Sequence, residues 1–301
     1  SALPNWRKFY DIVAGFVCDC YVLDSFSQHV RNIDHLFVPY LEAKDKLETL
    51  FEIPVSVVPF GANVLDKGSP SLKRPIDVAS YGRTPLPFHD NLLKFSNSPE
   101  SNIFYYRHGR PHKYVNPEVP YSFYRQDYQH STMLSSILRK TKIGLAFGNV
   151  YTARFETDLE NRHDVSSLKG NKVSSHVTHQ TQNPILGFRW FEIGAAGSAV
   201  VGKCPKTSLV SKYLDWEDAT IELPDDPSEG IEFIIELLKD DARLNSIHKR
   251  NYFEHLRHND LRLRIATMLE NLDFSKPEPL KNSLDLLNLK LAQYSERCTF
   301  S

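Results

Sequence analysis

The sequence has little that would mark a secreted, membrane-spanning or nucleic-acid-coating protein. Four cysteines in 301 residues are too few for a disulfide scaffold in a chain of this length. Their spacing, Cys18 and Cys20 together with Cys204 and Cys298 isolated, is also too uneven for one. A reducing, cytoplasmic setting is expected. The longest apolar runs, such as 231–238, are interrupted by glutamate and fall short of the roughly 18 residues of a membrane span. No transmembrane segment is expected, which leaves peripheral contact with a membrane open. The first residues, Ser1-Ala2-Leu3-Pro4-Asn5-Trp6-Arg7-Lys8, show neither a methionine nor the apolar centre of a signal peptide. An excess of one charge is missing too: 36 basic against 37 acidic side chains leave a net of −1. Coating phosphates needs a basic excess, so nucleic acid is not an expected partner. Internal repeats and low-complexity tracts are absent.

What is present is globular in character, 41% hydrophobic and 24% charged. Three hundred and one residues hold two domains or one large one. Strand-like and helix-like stretches take turns along the chain. Residues 11–17, 35–39 and 55–59 read as strands, 41–51 as an amphipathic helix, and Phe60-Gly61-Ala62-Asn63 as a turn. Residues 67–75, polar with glycine and proline, read as a linker. Beyond it, 76–81, 102–106 and 143–147 read as buried strands, 188–196 as a helix stopped by Gly197, and 198–201 as the strand that follows. Asp225-Asp226-Pro227 has the form of an N-cap and first turn for a helix over 231–238. Residues 245–272 and 284–294 are helical in pattern. This alternation predicts parallel sheets with crossover helices. Residues 151–183 form a polar stretch with little periodicity, of the kind that is more often functional or mobile than structural.

Charge is uneven along the chain. Residues 76–213 carry 17 basic and 10 acidic side chains, residues 214–301 carry 11 and 18, and seven of the twelve histidines lie in the central segment. Such an arrangement can focus an anionic ligand in one cleft without making the whole surface adhesive. Offsetting charges on neighbouring surface helices explain it equally well.

The most informative stretch runs from Asn183-Pro184 through Gly187-Phe188-Arg189-Trp190-Phe191-Glu192-Ile193-Gly194-Ala195-Ala196-Gly197-Ser198 to Val200-Val201. On a helix, Arg189 and Glu192 fall three residues apart on one face. The helix N-terminus attracts phosphate through its free N–H groups and dipole, and a guanidinium adds bidentate binding to a diphosphate. A carboxylate can accept both hydroxyls of a ribose. The small residues 194–197 would let the helix pack tightly on the strand after it.

This stretch resembles the phosphate- and ribose-binding helix of the two-Rossmann-domain (GT-B) glycosyltransferases. Their pattern is a Phe-Glu pair, a small-residue helix end and a Val-Val strand. More narrowly, Asn183-Pro184, Arg189-Trp190-Phe191-Glu192 and His258-Asn259-Asp260-Leu261-Arg262-Leu263-Arg264 are similar to the group-1 branch that includes spore-coat CgeB-like proteins. Val57-Val58-Pro59-Phe60-Gly61-Ala62-Asn63 resembles that family's interdomain junction. Asp77-Val78-Ala79-Ser80-Tyr81-Gly82-Arg83 resembles the first strand and turn of its donor domain. The likeness spans about residues 55–270.

The resemblance implies an α/β fold of two Rossmann-like lobes, the N-terminal one short or truncated. Residues 1–66 would be a partial acceptor-side lobe, 67–75 a linker, 76–272 the nucleotide-sugar lobe, and 273–301 a helix returning to the first lobe. The implied activity is transfer of a sugar from a nucleotide-diphosphate donor to an acceptor hydroxyl of a glycan, lipid or protein. It would proceed with retention and without a metal ion, needing no cofactor beyond the donor co-substrate. Arg83 and Arg189 would stabilise the departing diphosphate. Gly82, Asn183, Glu192, Gly197 and Ser198 would bind the donor, and Asp19 is the candidate acceptor-side base. Many retaining members of the superfamily have a second glutamate eight residues before the ribose-binding one; here that position is Pro184. A non-catalytic nucleotide-sugar or carbohydrate-binding protein, a nucleotide-sugar epimerase and a glycan phosphorylase on the same architecture stay open as alternatives.

Other signals are weaker. His176-Val177-Thr178-His179 lacks helical i, i+4 spacing and a nearby cysteine pair, so a solvated loop is the better reading than a metal site. Cys18-Asp19-Cys20 reads as a packed strand end. Arg107-His108-Gly109-Arg110 suits a polar loop as well as a phosphate contact. Tyr121, Phe123, Tyr124 and Tyr128 suit core packing more than base stacking. No Walker loop, G-x-G-x-x-G, G-x-S-x-G or H-E-x-x-H occurs, which removes the usual nucleotide-hydrolase, dehydrogenase, esterase and zinc-protease readings.

Overall fold

The computed structural model describes residues 6–18, 28–81, 84–108, 131–147 and 186–295. A first lobe holds three short parallel strands, β1 (Ala14–Phe16), β2 (His35–Val38) and β3 (Val55–Val57), in the order β1-β2-β3. Helix α1 (Leu41–Phe51) crosses between β2 and β3 and buries Ala43, Leu47 and Phe51. It ends where Glu52 turns into the left-handed region at φ 56°. The four-residue helix α2 (Val64–Lys67) leads out of the lobe, with Asn63 accepting from the Asp66 amide.

The second lobe is built on β4 (Ile76–Tyr81), β5 (Tyr105–His108), β6 (Thr141–Phe147), β7 (Ala199–Lys203) and β8 (Ile221–Glu222). These are parallel and ordered β5-β4-β6-β7-β8. Helices cover both faces, as a fully parallel sheet requires. Alternate residues of a strand go to opposite cores. Ile143 and Leu145 of β6 join Ala199 and Val201 of β7 under α3 (Leu86–Ser96) and α7 (Pro227–Lys239). Ala146 and Val200 face α4 (131–138), α5 (Phe188–Ala195) and α8 (Asp241–His258). Helix α6 (Ser208–Tyr213) follows β7, and α9 (Leu261–Asn271) and α10 (Glu278–Ser295) complete the chain.

Several expectations shift in detail. Helix α7 begins at Pro227, capped by Asp226, whose side chain accepts from the Ser228 and Glu229 amides. The helical pattern over 245–272 is two helices. Asp260 ends the continuity because its carboxylate caps α9 through the Arg262 amide and also accepts the Leu65 amide from the first lobe. The last helix begins at residue 278, and its neighbours are α8 and α9. Tyr294 lies against Tyr252 and Phe253 there. Asn271 of α9 accepts from the Ser56 hydroxyl of the first lobe at 3.1 Å. The expected linker, residues 67–75, holds a buried cation. Arg74 is buried, and its guanidinium donates to the carbonyls of Ser69, Ser71, Leu138, Thr141 and Ala196.

Candidate functional site

In a doubly wound sheet, ligands bind beyond the carboxyl ends of the strands, in the crevice where the strand order reverses. Here that crevice lies between β4 and β6. Helix α5 crosses from β6 to β7, so its N-terminus opens at the same edge. Close packing sets its depth. A Cβ at Gly144 of β6 would collide with Ile193, and a Cβ at Gly194 would collide with the imidazole of His255 on α8. The tight approach at Gly194 is therefore to α8, not to the following strand as the sequence suggested. Gly187 precedes α5 in extended conformation and supplies no side-chain cap, so the first-turn amides are not taken up by one.

Arg189 and Glu192 do share one face of α5, and both meet Tyr81 at the end of β4. The Tyr81 hydroxyl donates to Glu192 Oε2 at 2.7 Å. The Arg189 guanidinium carbon lies 5.8 Å from the centre of the Tyr81 ring, within cation–π range. Glu192 keeps partial access to solvent, while Tyr81 is buried. Burial pushes the Glu192 carboxyl up to about 7, against the Tyr81 hydrogen bond and the positive charges of Arg189 and Lys67. Burial and the facing carboxylate raise the Tyr81 phenol in turn. Lys67, at the end of α2, donates to Ser131 Oγ at 2.8 Å at the start of α4. An aromatic cluster adjoins the start of α5. Phe188, first residue of α5, meets Phe60 edge-on at 5.5 Å between ring centres, and Phe60 meets Tyr40 at 5.6 Å and Phe16 at 6.2 Å.

The junction between the lobes is clasped to the second lobe. Ala62 pairs with Asp260 in a parallel bridge, and Arg262 binds Asn63, Asp66 and Asp260. Arg264 donates to the Phe60 carbonyl at 3.2 Å and to Asn259 Oδ1 at 2.6 Å, and lies 4.5 Å over the Tyr213 ring. The two outer segments singled out in the sequence, 57–63 and 258–264, are thus partners in one contact. Its burial explains their residue types: Asp260 and Asn259 are fully buried, so each polar group must find a partner.

Gly197 and Ser198, expected at the donor, stand at the opposite end of α5, about 12 Å from its start at 1.5 Å per residue. Gly197 takes φ 78°, and a Cβ there would collide with the Ser69 carbonyl. Ser198 is fully buried and donates to the Leu138 and Thr141 carbonyls at 2.8 and 2.9 Å. Both positions therefore serve the packing around Arg74, which corrects the donor-binding expectation for them. Asp19, Gly82, Arg83 and Asn183 lie outside the described residues, as do His176, His179, Tyr121, Phe123, Tyr124, Tyr128 and Arg110. Among the described residues no group of three or more His, Cys, Asp or Glu is placed to hold a metal ion, and no helix is long and apolar enough to cross a membrane.

Sequence reasoning passed over Tyr81, Lys67 and Phe60. Tyr81 and Phe60 sit inside the stretches 77–83 and 57–63, which stand out for their family resemblance as a whole, and Lys67 begins a stretch that reads as linker. The available signal was position alone: Tyr81 and Lys67 each end an element, and Phe60 lies between β3 and α2.

A doubly wound parallel lobe joined to a smaller parallel lobe, with the site at the facing strand ends, is the two-lobed α/β fold of GT-B type. No protein-family model and no curated protein matches the chain. Among solved structures, the chain is similar to HepE of Anabaena in complex with UDP and glucose. The two are 11% identical, with a TM-score of 0.50 over 87% of this chain and 71% of that one. HepE in complex with UDP-glucose gives the same identity and TM-score over 87% of this chain and 72% of that one. At that identity the likeness is one of fold.

Proposed function

We propose that the protein is a glycosyltransferase that takes a sugar from a nucleotide-diphosphate donor held between the α5 N-terminus, Arg189 and Glu192. The observation that carries this is the convergence of a cation, a carboxylate and an uncapped helix start at the switch point of the sheet. The fold likeness to HepE, which holds UDP and UDP-glucose, favours a nucleotide sugar as the ligand of that cleft. In this reading Glu192 accepts the ribose hydroxyls. Arg189 and the α5 amides, with Arg83, take up the negative charge of the departing diphosphate in place of a metal ion. Gly82 and Asn183 complete the donor contacts, and Asp19 is the acceptor-side base. Retention of configuration is part of the proposal on resemblance alone, as is the CgeB-like affiliation. A cytoplasmic setting and a glycan, lipid or protein acceptor belong to the same reading.

Incubation with a panel of nucleotide sugars, followed by measurement of free nucleoside diphosphate, tests turnover. Absence of binding to every nucleotide sugar by calorimetry would overturn the donor assignment. Glu192→Ala is expected to weaken donor binding by about 1.5–3 kcal/mol, the worth of hydrogen bonds to a charged group. Unchanged affinity in a folded variant would remove Glu192 from the site. Pro184, where a second carboxylate would stand, favours one other reading: binding without turnover. Tight donor binding with no diphosphate released would select it.

A further inference from the structure

The strand-end tyrosine touches both groups on which the donor reading rests. Tyr81 is the last residue of β4, 8% exposed, with its hydroxyl on Glu192 Oε2 and its ring under Arg189. A hydroxyl has one hydrogen to give. Spending it on Oε2 leaves Oε1 as the oxygen without that donor, and orients the carboxylate plane. The ring face limits where the guanidinium can lie. Tyr81 thus fixes the relative placement of an acceptor for sugar hydroxyls and a donor for phosphate oxygens. Neither Glu192 nor Arg189 achieves that alone, because both side chains are long and rotamer-rich.

We propose that Tyr81 is the positioning residue of the donor site, setting Glu192 for the ribose and Arg189 for the diphosphate. The inference rests on the donor reading above and deepens it. The groups facing Glu192 are Tyr81 from β4, Arg189 from its own helix and Lys67 from α2. Of these, Tyr81 is the neutral hydrogen-bond donor, so its removal has a distinct consequence. Without it the carboxylate is harder to ionise, since burial already opposes the charge.

The test is calorimetric titration of UDP-glucose into the wild type, Tyr81→Phe and Glu192→Ala between pH 5.5 and 8.5. Tyr81→Phe is expected to bind about tenfold more weakly at pH 6.5, the scale of a hydrogen bond to a charged group, and to regain most of the loss at pH 8.5. A second readout compares UDP with 2′-deoxy-UDP at pH 8. The preference for the ribose form is expected to be about tenfold in the wild type and to fall by several-fold in Tyr81→Phe, because a loosely held carboxylate discriminates less. Wild-type protein labelled with ζ-¹³C tyrosine supplies a measurement that needs no variant: one resonance should titrate with the same midpoint as UDP-glucose affinity. Tyr81→Phe with wild-type affinity, pH profile and ribose preference, or the absence of such a resonance, overturns the positioning role while Glu192→Ala still reports on the donor site. A wild type that binds no nucleotide sugar of the panel at any pH overturns the donor reading, and this proposal with it.

Discussion

At the scale of single residues, Glu192 and Gly194 show how one short helix serves two masters. Glu192 is held up to about 7 by burial, well above its ordinary 4.5. The folded protein therefore binds this proton more tightly than the unfolded chain. The stability that Glu192 contributes is full below pH 4.5 and is lost as pH rises through 7. On the proposed role of Glu192, donor binding should run the other way, because the ionised form would accept from the ribose hydroxyls. UDP-glucose, which has no proton of its own to lose there, is expected to bind more tightly at pH 8 than at pH 6, while the melting temperature falls slightly. Glu192→Gln should flatten both trends, and a Kd that is level across this range in the wild type would contradict the assignment. Two residues on, Gly194 is needed for space alone. Gly194→Ala places a methyl against the His255 ring and is expected to cost about 1–3 kcal/mol in urea unfolding, as overpacking does.

At the scale of elements, the anchor of α5 lies at its far end. Arg74 joins the segment 69–74, the end of α4, the start of β6 and the end of α5 through the carbonyls of Ser69, Ser71, Leu138, Thr141 and Ala196. Burial lowers its guanidinium to about 10, so it remains charged at neutral pH. His248 stands nearby with Nδ1 donating to the Gly197 carbonyl, and burial with the Arg74 charge lowers its imidazole to about 3. It is therefore neutral, which spares Arg74 a buried like charge. Arg74→Met would leave several buried carbonyls without a donor and is expected to cost about 3 kcal/mol or more, read by chemical denaturation. A loss below about 0.5 kcal/mol, the range of ordinary surface substitutions, would mean that these carbonyls find other partners.

At the scale of the whole molecule, the two lobes are tied through Asp260. It is fully buried and accepts the Leu65 and Arg262 amides as well as the Arg262 guanidinium. A hinge at 60–66 is hard to reconcile with this clasp, since those residues are bonded to the second lobe. Lys67 and Phe60 are accordingly carried with the second lobe. Removing one partner of such a buried pair costs about 3–5 kcal/mol, and Asp260→Ala is expected to split thermal unfolding into two calorimetric transitions and to weaken UDP-glucose binding. One transition at an unchanged temperature would show that the lobes are coupled elsewhere.

Much of this architecture was legible in the chain. Strands β2, β3, β4, β6 and β7 and helices α1 and α5 carry their own apolar periodicity, so local pattern and tertiary environment agree. The Arg189 and Glu192 pair was legible for the same reason: three residues on a helix always share a face. Helices α3, α4 and α6 and strand β8 were not; α6 and β8 are short, at six and two residues. Nor was the difference between Glu192 and Ser198, which belong to one motif in the sequence and stand at opposite ends of one helix in space. The sequence by itself determined an alternating α/β chain with a cation and a carboxylate on one helical face. Only the tertiary structure decided that Tyr81 meets them, that 57–63 meets 258–264, and that Arg74 takes Gly197 and Ser198 out of the cleft. Those contacts join residues 111 to 199 positions apart, and periodicity, a local property, carries no record of what will lie across a fold.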